Sequence, residues 1–202
     1  MAKLTTKTDQ TYTALTPFFE SDYTVPLRDA MARLLTRVPQ RPAFVLEGMG
    51  GFGLDTMSVQ TLWPGVQMKV YERDQGTLNR LINNVRSACP DAPIETYCQD
   101  YTGEDIVPPD TLLILSMNTF TLLPRRVEEA APFFLPAARW VAFVDMSAQR
   151  LHLTYRAYGL TKEHHSYDDY LVRAGEVLGR RPIAWERGYR AFNMILLGER
   201  VG

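Results

Sequence analysis

The chain is poor in the residues that build covalent staples and metal sites. It has two cysteines, Cys89 and Cys98, and three histidines among 202 residues. Two thiols in a chain of this length make no disulfide framework, and a reducing, cytoplasmic compartment fits. His164 and His165 are adjacent, with Asp168 and Asp169 close by. No cysteine or third histidine completes a ligand set around them, so no metal is expected. Long apolar runs are also missing: none approaches the roughly 20 residues that cross a bilayer. The amino terminus, Met1 to Thr6, runs into polar residues without the apolar stretch of a signal peptide. These absences predict a soluble protein with no membrane partner. Charge of one sign is lacking too. A formal net charge of -1 exerts no overall pull on a polyanion, which disfavours nucleic acid as a partner. Arg125-Arg126, Arg150, Arg156 and Arg180-Arg181 could still form a local rim for an anionic substrate or RNA, although solvated faces are the simpler reading.

What is present is enough apolar material, 46% of residues, to bury one substantial core, and no internal repeat or linker marks a second domain. The first forty residues read as a helical preface. Leu27, Met31, Leu34, Leu35 and Val38 share a face, with Pro26 at the start and Pro39 as the stop. From residue 41 to 202, strand-like and helix-like segments alternate. The strand candidates are Ala43–Glu47, Met68–Glu72, Ile94–Cys98, Thr111–Met117 and Trp140–Asp145. Leu78, Leu81, Ile82, Val85 and Ala88 mark a helix ended by Pro90. Two later helices run through Val127–Phe134 and Tyr167–Leu178, the second capped by Ser166 and followed by Gly179. Near the end, Pro182–Trp185 and Phe192–Leu197 are separated by too few residues for a crossover helix and must pair antiparallel. The fold class is therefore α/β: a doubly wound, mostly parallel sheet covered on both faces, with an antiparallel carboxy-terminal hairpin.

The most informative residues are Gly48-Met49-Gly50-Gly51-Phe52-Gly53. They follow an apolar run that ends in an acid, Ala43 to Glu47, and precede a helix-like stretch. A second apolar run then ends in Glu72-Arg73-Asp74. Strand, glycine turn, helix and a second strand with a terminal carboxylate make a half-unit for an adenosine-containing ligand. Gly48-x-Gly50-x-x-Gly53, with Glu72 about twenty residues on, also satisfies the dinucleotide fingerprint. An NAD(P)- or flavin-dependent oxidoreductase is thus a rival reading. Against it, Glu47 beside the turn would repel a pyrophosphate, and the hairpin ending leaves little room for a second nucleotide half.

On these residues the chain resembles the class I S-adenosylmethionine-dependent methyltransferases, over roughly residues 40 to 200. The resemblance rests on Val45-Leu46-Glu47 with its glycine loop, on Val70-Tyr71-Glu72, and on Tyr97-Cys98-Gln99-Asp100. That family has a seven-stranded sheet ending in a hairpin. Its loop reads acid-x-Gly-x-Gly-x-Gly, which puts Met49 where the first glycine belongs, so the turn could be shifted by a residue. The resemblance implies S-adenosyl-L-methionine as cofactor. Glu47 would meet the ammonium of its methionine end, directly or through water. Backbone at Gly48, Gly50, Gly51 and Gly53 would pass beside it. Glu72 would hold the ribose diol, Asp100 the adenine amino group, and Tyr101 would offer a ring face. Arg73 and Ser116 complete the expected cofactor set.

The acceptor pocket is expected beyond the fourth and fifth strands, in Ser116–Phe120 and in the segment from Gln149 to Asp169, rich in arginine, histidine and tyrosine. His164 and His165 are the base candidates, because imidazole titrates near neutrality. Asn118-Thr119-Phe120 lacks the prolines of the motif used by amino-methylating nucleic-acid enzymes. The reading is methyl transfer to an oxygen or nitrogen of a small molecule. A methyltransferase acting on RNA or protein and a non-catalytic nucleotide-binding protein are alternatives, and a homodimer stays open. The aromatic stretch Tyr12 to Tyr23, with Phe18-Phe19, is expected either to form a lid or to pack on the core.

Overall fold

A computed structural model describes residues 24–103, 105–115, 138–146, 179–189 and 192–200. They contain helices α1 (Thr24–Leu35), α2 (Leu54–Leu62) and α3 (Gln75–Ala88). The strands are β1 (Phe44–Gly48), β2 (Gln67–Tyr71), β3 (Ile94–Tyr97), β4 (Thr111–Leu115), β5 (Trp140–Met146), β6 (Arg180–Tyr189) and β7 (Phe192–Arg200). The strands form one seven-stranded sheet in the order β3-β2-β1-β4-β5-β7-β6. The first five run parallel, and β7 inserts antiparallel between β5 and β6. The order reverses between β1 and β4, and at such a switch point the carboxyl ends of the strands open a crevice.

Side-chain alternation sorts the sheet into two faces. Val45, Met68, Val70, Leu112 and Ile114 lie on one face and share a core with Met31, Leu34 and Leu35 of α1, Val59 of α2, and Leu81 and Val85 of α3. Met31, Leu34 and Leu35 are wholly buried, and each contributes about 1.5–3 kcal/mol by leaving water. The apolar stripe of the amino-terminal preface is therefore core. Its helix ends at Leu35, four residues before Pro39, and a tight turn through Val38 follows.

Most differences from the sequence reading are small. Each parallel strand is within a residue or two of its expected bounds, and Glu72 stands just past β2. Ala88 is exposed, whereas Leu78, Leu81 and Val85 are buried. The hairpin is longer than expected, because Glu186 and Tyr189 continue the pairing opposite Met194 and Phe192. Pro182, which cannot donate to a ladder, sits in the edge strand β6 beside a register shift. The helices expected at 127–134 and 167–178, and the aromatic stretch 12–23, lie outside the described residues.

On the opposite face, the described part of the connection from β3 to β4 holds no helix. Polar contacts fasten it instead. Lys69 Nζ lies 2.6 Å from Asp105 Oδ1, and the Tyr71 hydroxyl donates to the same oxygen at 2.8 Å. Lys69 also stands 4.6 Å from the centre of the Tyr97 ring. The hydrogen bonds to Asp105 and Tyr71 raise the Lys69 pKa and keep it charged.

Asp74 caps α3: its Oδ1 accepts the Thr77 N–H at 2.7 Å. That bond holds the Asp74 carboxyl below the usual carboxylate range. A depressed folded-state pKa stabilises above the unfolded value of about 3.9 and is lost as pH falls through the folded value. Asp74→Ala should therefore cost about 0.5–2 kcal/mol in urea denaturation near neutral pH. The deficit relative to the native protein should shrink in acid, and one that stays constant would mean that the charge is not what caps the helix.

Candidate cofactor site at the carboxyl ends of the strands

The chain leaves β1 at Gly48 and turns across the end of β2 before entering α2. The Tyr71 carbonyl accepts the N–H groups of both Met49 (2.9 Å) and Gly50 (2.7 Å), and Gly53 N–H closes the turn onto the Gly50 carbonyl at 2.9 Å. Met49 has φ 81 and is the one non-glycine residue at positive φ among the described residues. The turn is thus not shifted. Met49 takes the left-handed conformation that the acid-x-Gly pattern reserves for glycine, at about 1–2 kcal/mol.

The glycines contribute differently from the simple expectation that a bare backbone leaves room for a ligand. A Cβ on Gly48 would fall 2.7 Å from the Tyr101 ring, and one on Gly50 would fall 2.5 Å from both Leu81 and Val70. Gly53, at φ 81, would bring a Cβ to 3.0 Å from Val85. At these three positions the protein's own side chains occupy the space. Gly50 and Gly53 let α3 pack closely, and Gly48 seats Tyr101. Gly51, at φ 52, instead aims its N–H at Glu72.

Three carboxyl groups are buried around this loop: Glu47 (0% exposed), Asp55 (4%) and Glu72 (3%). Glu47 lies between Val70 and Ile114 in the sheet register. Its Oε2 accepts the Thr56 hydroxyl at 2.6 Å, while its Oε1 is buried with no hydrogen-bond partner among the described residues. Burial foremost, then the nearby charges of Asp55 and Glu72, push the Glu47 carboxyl well above its ordinary value, against the lowering effect of the Thr56 bond. Glu72 is tied by both oxygens: Oε2 accepts Gly51 N–H and Oε1 accepts Asp74 N–H, each at 3.0 Å. It locks the glycine loop to the start of α3.

Asp100 is exposed after β3, and Arg73 is half-buried beside Glu72. The Tyr101 ring lies 5.5 Å from Tyr71 at 47°, and burial raises the pKa of its hydroxyl and keeps it neutral. The structure thus groups Glu47, Gly48, Gly50, Gly51, Gly53, Glu72, Arg73 and Tyr101 around the ends of β1 and β2, with Asp100 at the rim. Ser116, His164 and His165 lie outside the described residues. Sequence reasoning missed Asp55 and Thr56. The available signal was a polar pair in the first turn of the helix that opens at Gly53, over the acid that ends β1.

Comparison with known proteins gives the fold a context. No protein-family model matches the chain, and no curated protein matches it in sequence. Solved structures do match. The chain is similar to the pyocyanin biosynthetic protein PhzM (TM-score 0.61, 16% identity), covering 84% of itself and 54% of that chain, so it spans about half of PhzM. It is equally similar to magnesium protoporphyrin IX methyltransferase from Synechocystis with bound S-adenosylmethionine (TM-score 0.61, 11% identity, 86% and 78% covered). A third match is the plantazolicin methyltransferase BpumL in complex with S-adenosylhomocysteine (TM-score 0.61, 10% identity, 96% and 90% covered). The chain has the class I methyltransferase fold, with the antiparallel β7 lodged between β5 and β6.

Two substitutions probe the loop. Met49→Gly should be more stable than Met49→Ala by about 1 kcal/mol in chemical denaturation, since both lose the side chain but only glycine relieves the left-handed backbone. Gly50→Ala should destabilise by about 1–3 kcal/mol through overpacking against Val70 and Leu81. If alanine proved the better residue at position 49, the left-handed turn would be wrong.

Proposed function

We propose that the protein is an S-adenosylmethionine-dependent methyltransferase that acts on an oxygen or nitrogen of a small-molecule acceptor. One observation carries the cofactor reading: Glu47, Asp55 and Glu72 are buried around the glycine loop. Three carboxyl groups there disfavour a pyrophosphate and favour a ligand with a cationic head. Glu47 Oε1, without a hydrogen-bond partner among the described residues, gives that head an acceptor to meet, directly or through water. The residues present fit S-adenosylmethionine, which when bound supplies a methyl group activated by a sulfonium.

The chain's own part is to hold and align. Glu47 would set the methionine end, Glu72 the ribose end while it also fixes the loop, and Asp100 and Tyr101 the adenine end. The acceptor side falls to the segments after β4 and β5, where His164 or His165 would take a proton from the nucleophile if one must leave. A small molecule is preferred over RNA or protein as acceptor because the chain carries almost no net charge.

The rival with an observation in its favour is a dinucleotide oxidoreductase, since the glycine spacing satisfies that fingerprint. Calorimetry against S-adenosylhomocysteine and NAD(H), with mass spectrometry of whatever co-purifies, separates them. Binding of the first ligand alone is expected. Glu72→Ala should weaken it by about 1.5–3 kcal/mol, the loss of hydrogen bonds to a charged group. Preferential binding of NAD(H) would replace this reading with its rival. Once an acceptor is known, His164→Ala or His165→Ala should lower turnover by about 10²–10⁴-fold at nearly unchanged cofactor affinity.

A further inference from the structure

The buried end of β1 holds a group that the reading above uses only as a static acceptor. Glu47 is wholly buried, and its sheet neighbours Val70 and Ile114 are apolar. Among the described residues, the charged groups acting on it are both acids, Asp55 from α2 and Glu72 from the end of β2, and its one hydrogen-bond donor is the Thr56 hydroxyl. An ionised carboxylate in that setting loses its hydration, leaves one oxygen unsatisfied and faces like charge. A proton on Glu47 removes most of that penalty. A cation brought to the unpartnered oxygen removes it too, and then favours the ionised form.

We infer that Glu47 carries a proton in the ligand-free protein and releases it to solvent when a cationic ligand head is bound beside it, so that cofactor binding is coupled to deprotonation. The inference rests on the S-adenosyl reading of the site, with the ligand's ammonium as the cation. The balance is simple: the Glu47 O–H bond breaks, its proton passes to buffer, and a carboxylate–ammonium pair replaces a neutral acid. Affinity for the ammonium-bearing ligand should then rise about tenfold per pH unit until the free protein itself loses the proton. A neutral ligand should show no such slope. The raised pKa of Glu47 agrees in direction.

The test is calorimetry of the full chain in phosphate and in Tris, buffers of different ionisation heat, with two probes. S-adenosylhomocysteine carries the ammonium, and 5′-methylthioadenosine keeps the adenosine and thioether but lacks it. The expected result is about one proton released with the first probe and none with the second. Glu47→Gln, an isostere of the protonated acid, should still bind but release none. Should Glu47→Gln fail to fold, infrared spectroscopy of the native protein provides the second readout. The carbonyl band of a protonated, buried carboxylic acid should be present without ligand and disappear on adding S-adenosylhomocysteine. Observed binding heats for S-adenosylhomocysteine that are equal in the two buffers, or a Glu47→Gln variant that still releases the proton, would overturn the inference and leave the cofactor reading standing. Absence of binding by either probe would overturn both.

Discussion

The end of β1 is the place on which the site depends, because a carboxyl group is buried there inside the sheet and not at its edge. Glu47 has Val70 and Ile114 as its neighbours in the register and the Thr56 hydroxyl of α2 above it. A group so placed is costly to ionise without a partner. The costs are concentrated where the carboxyl ends of the parallel strands open, and local destabilisation of this kind is characteristic of binding sites rather than of cores.

The loop that crosses this point is held from three directions. The Tyr71 carbonyl anchors its first two N–H groups, the Glu72 carboxylate anchors Gly51, and α3 closes on Gly50 and Gly53 through Leu81 and Val85. Glu72 therefore links the loop, the end of β2 and the start of α3, whose own cap is the neighbouring Asp74. Met49 at φ 81 shows that the turn is dictated by this surrounding network, since a methionine left to itself avoids that conformation. The rigidity of the loop follows from tertiary packing as much as from its glycines.

The opposite face depends on a different arrangement. Where the β3–β4 connection lacks a helix in its described part, Lys69, Tyr71 and Asp105 tie it to the sheet, and Tyr101 seats against Gly48. These contacts fix Tyr101 next to the end of β1 and so shape that side of the crevice. They involve residues more than thirty positions apart in sequence, which no local pattern announces.

Much of this protein was legible in the chain itself. Alternating apolar runs and helical periodicity located the parallel strands to within a residue or two, and the short gap before Phe192 required an antiparallel hairpin. The acid that precedes the glycine turn marked Glu47, and the second strand-end acid marked Glu72. Those features are written in local periodicity and turn chemistry, which depend on neighbouring residues. What only the tertiary structure decided is how the marked residues act: that Glu47 is fully buried with one oxygen unpartnered among the described residues, that Asp55 and Thr56 lie beside it, that Glu72 binds the loop's backbone, and that the space freed at Gly48 and Gly50 is filled by the protein. Burial, charge proximity and close packing join segments distant along the chain, and no single stretch of sequence contains them.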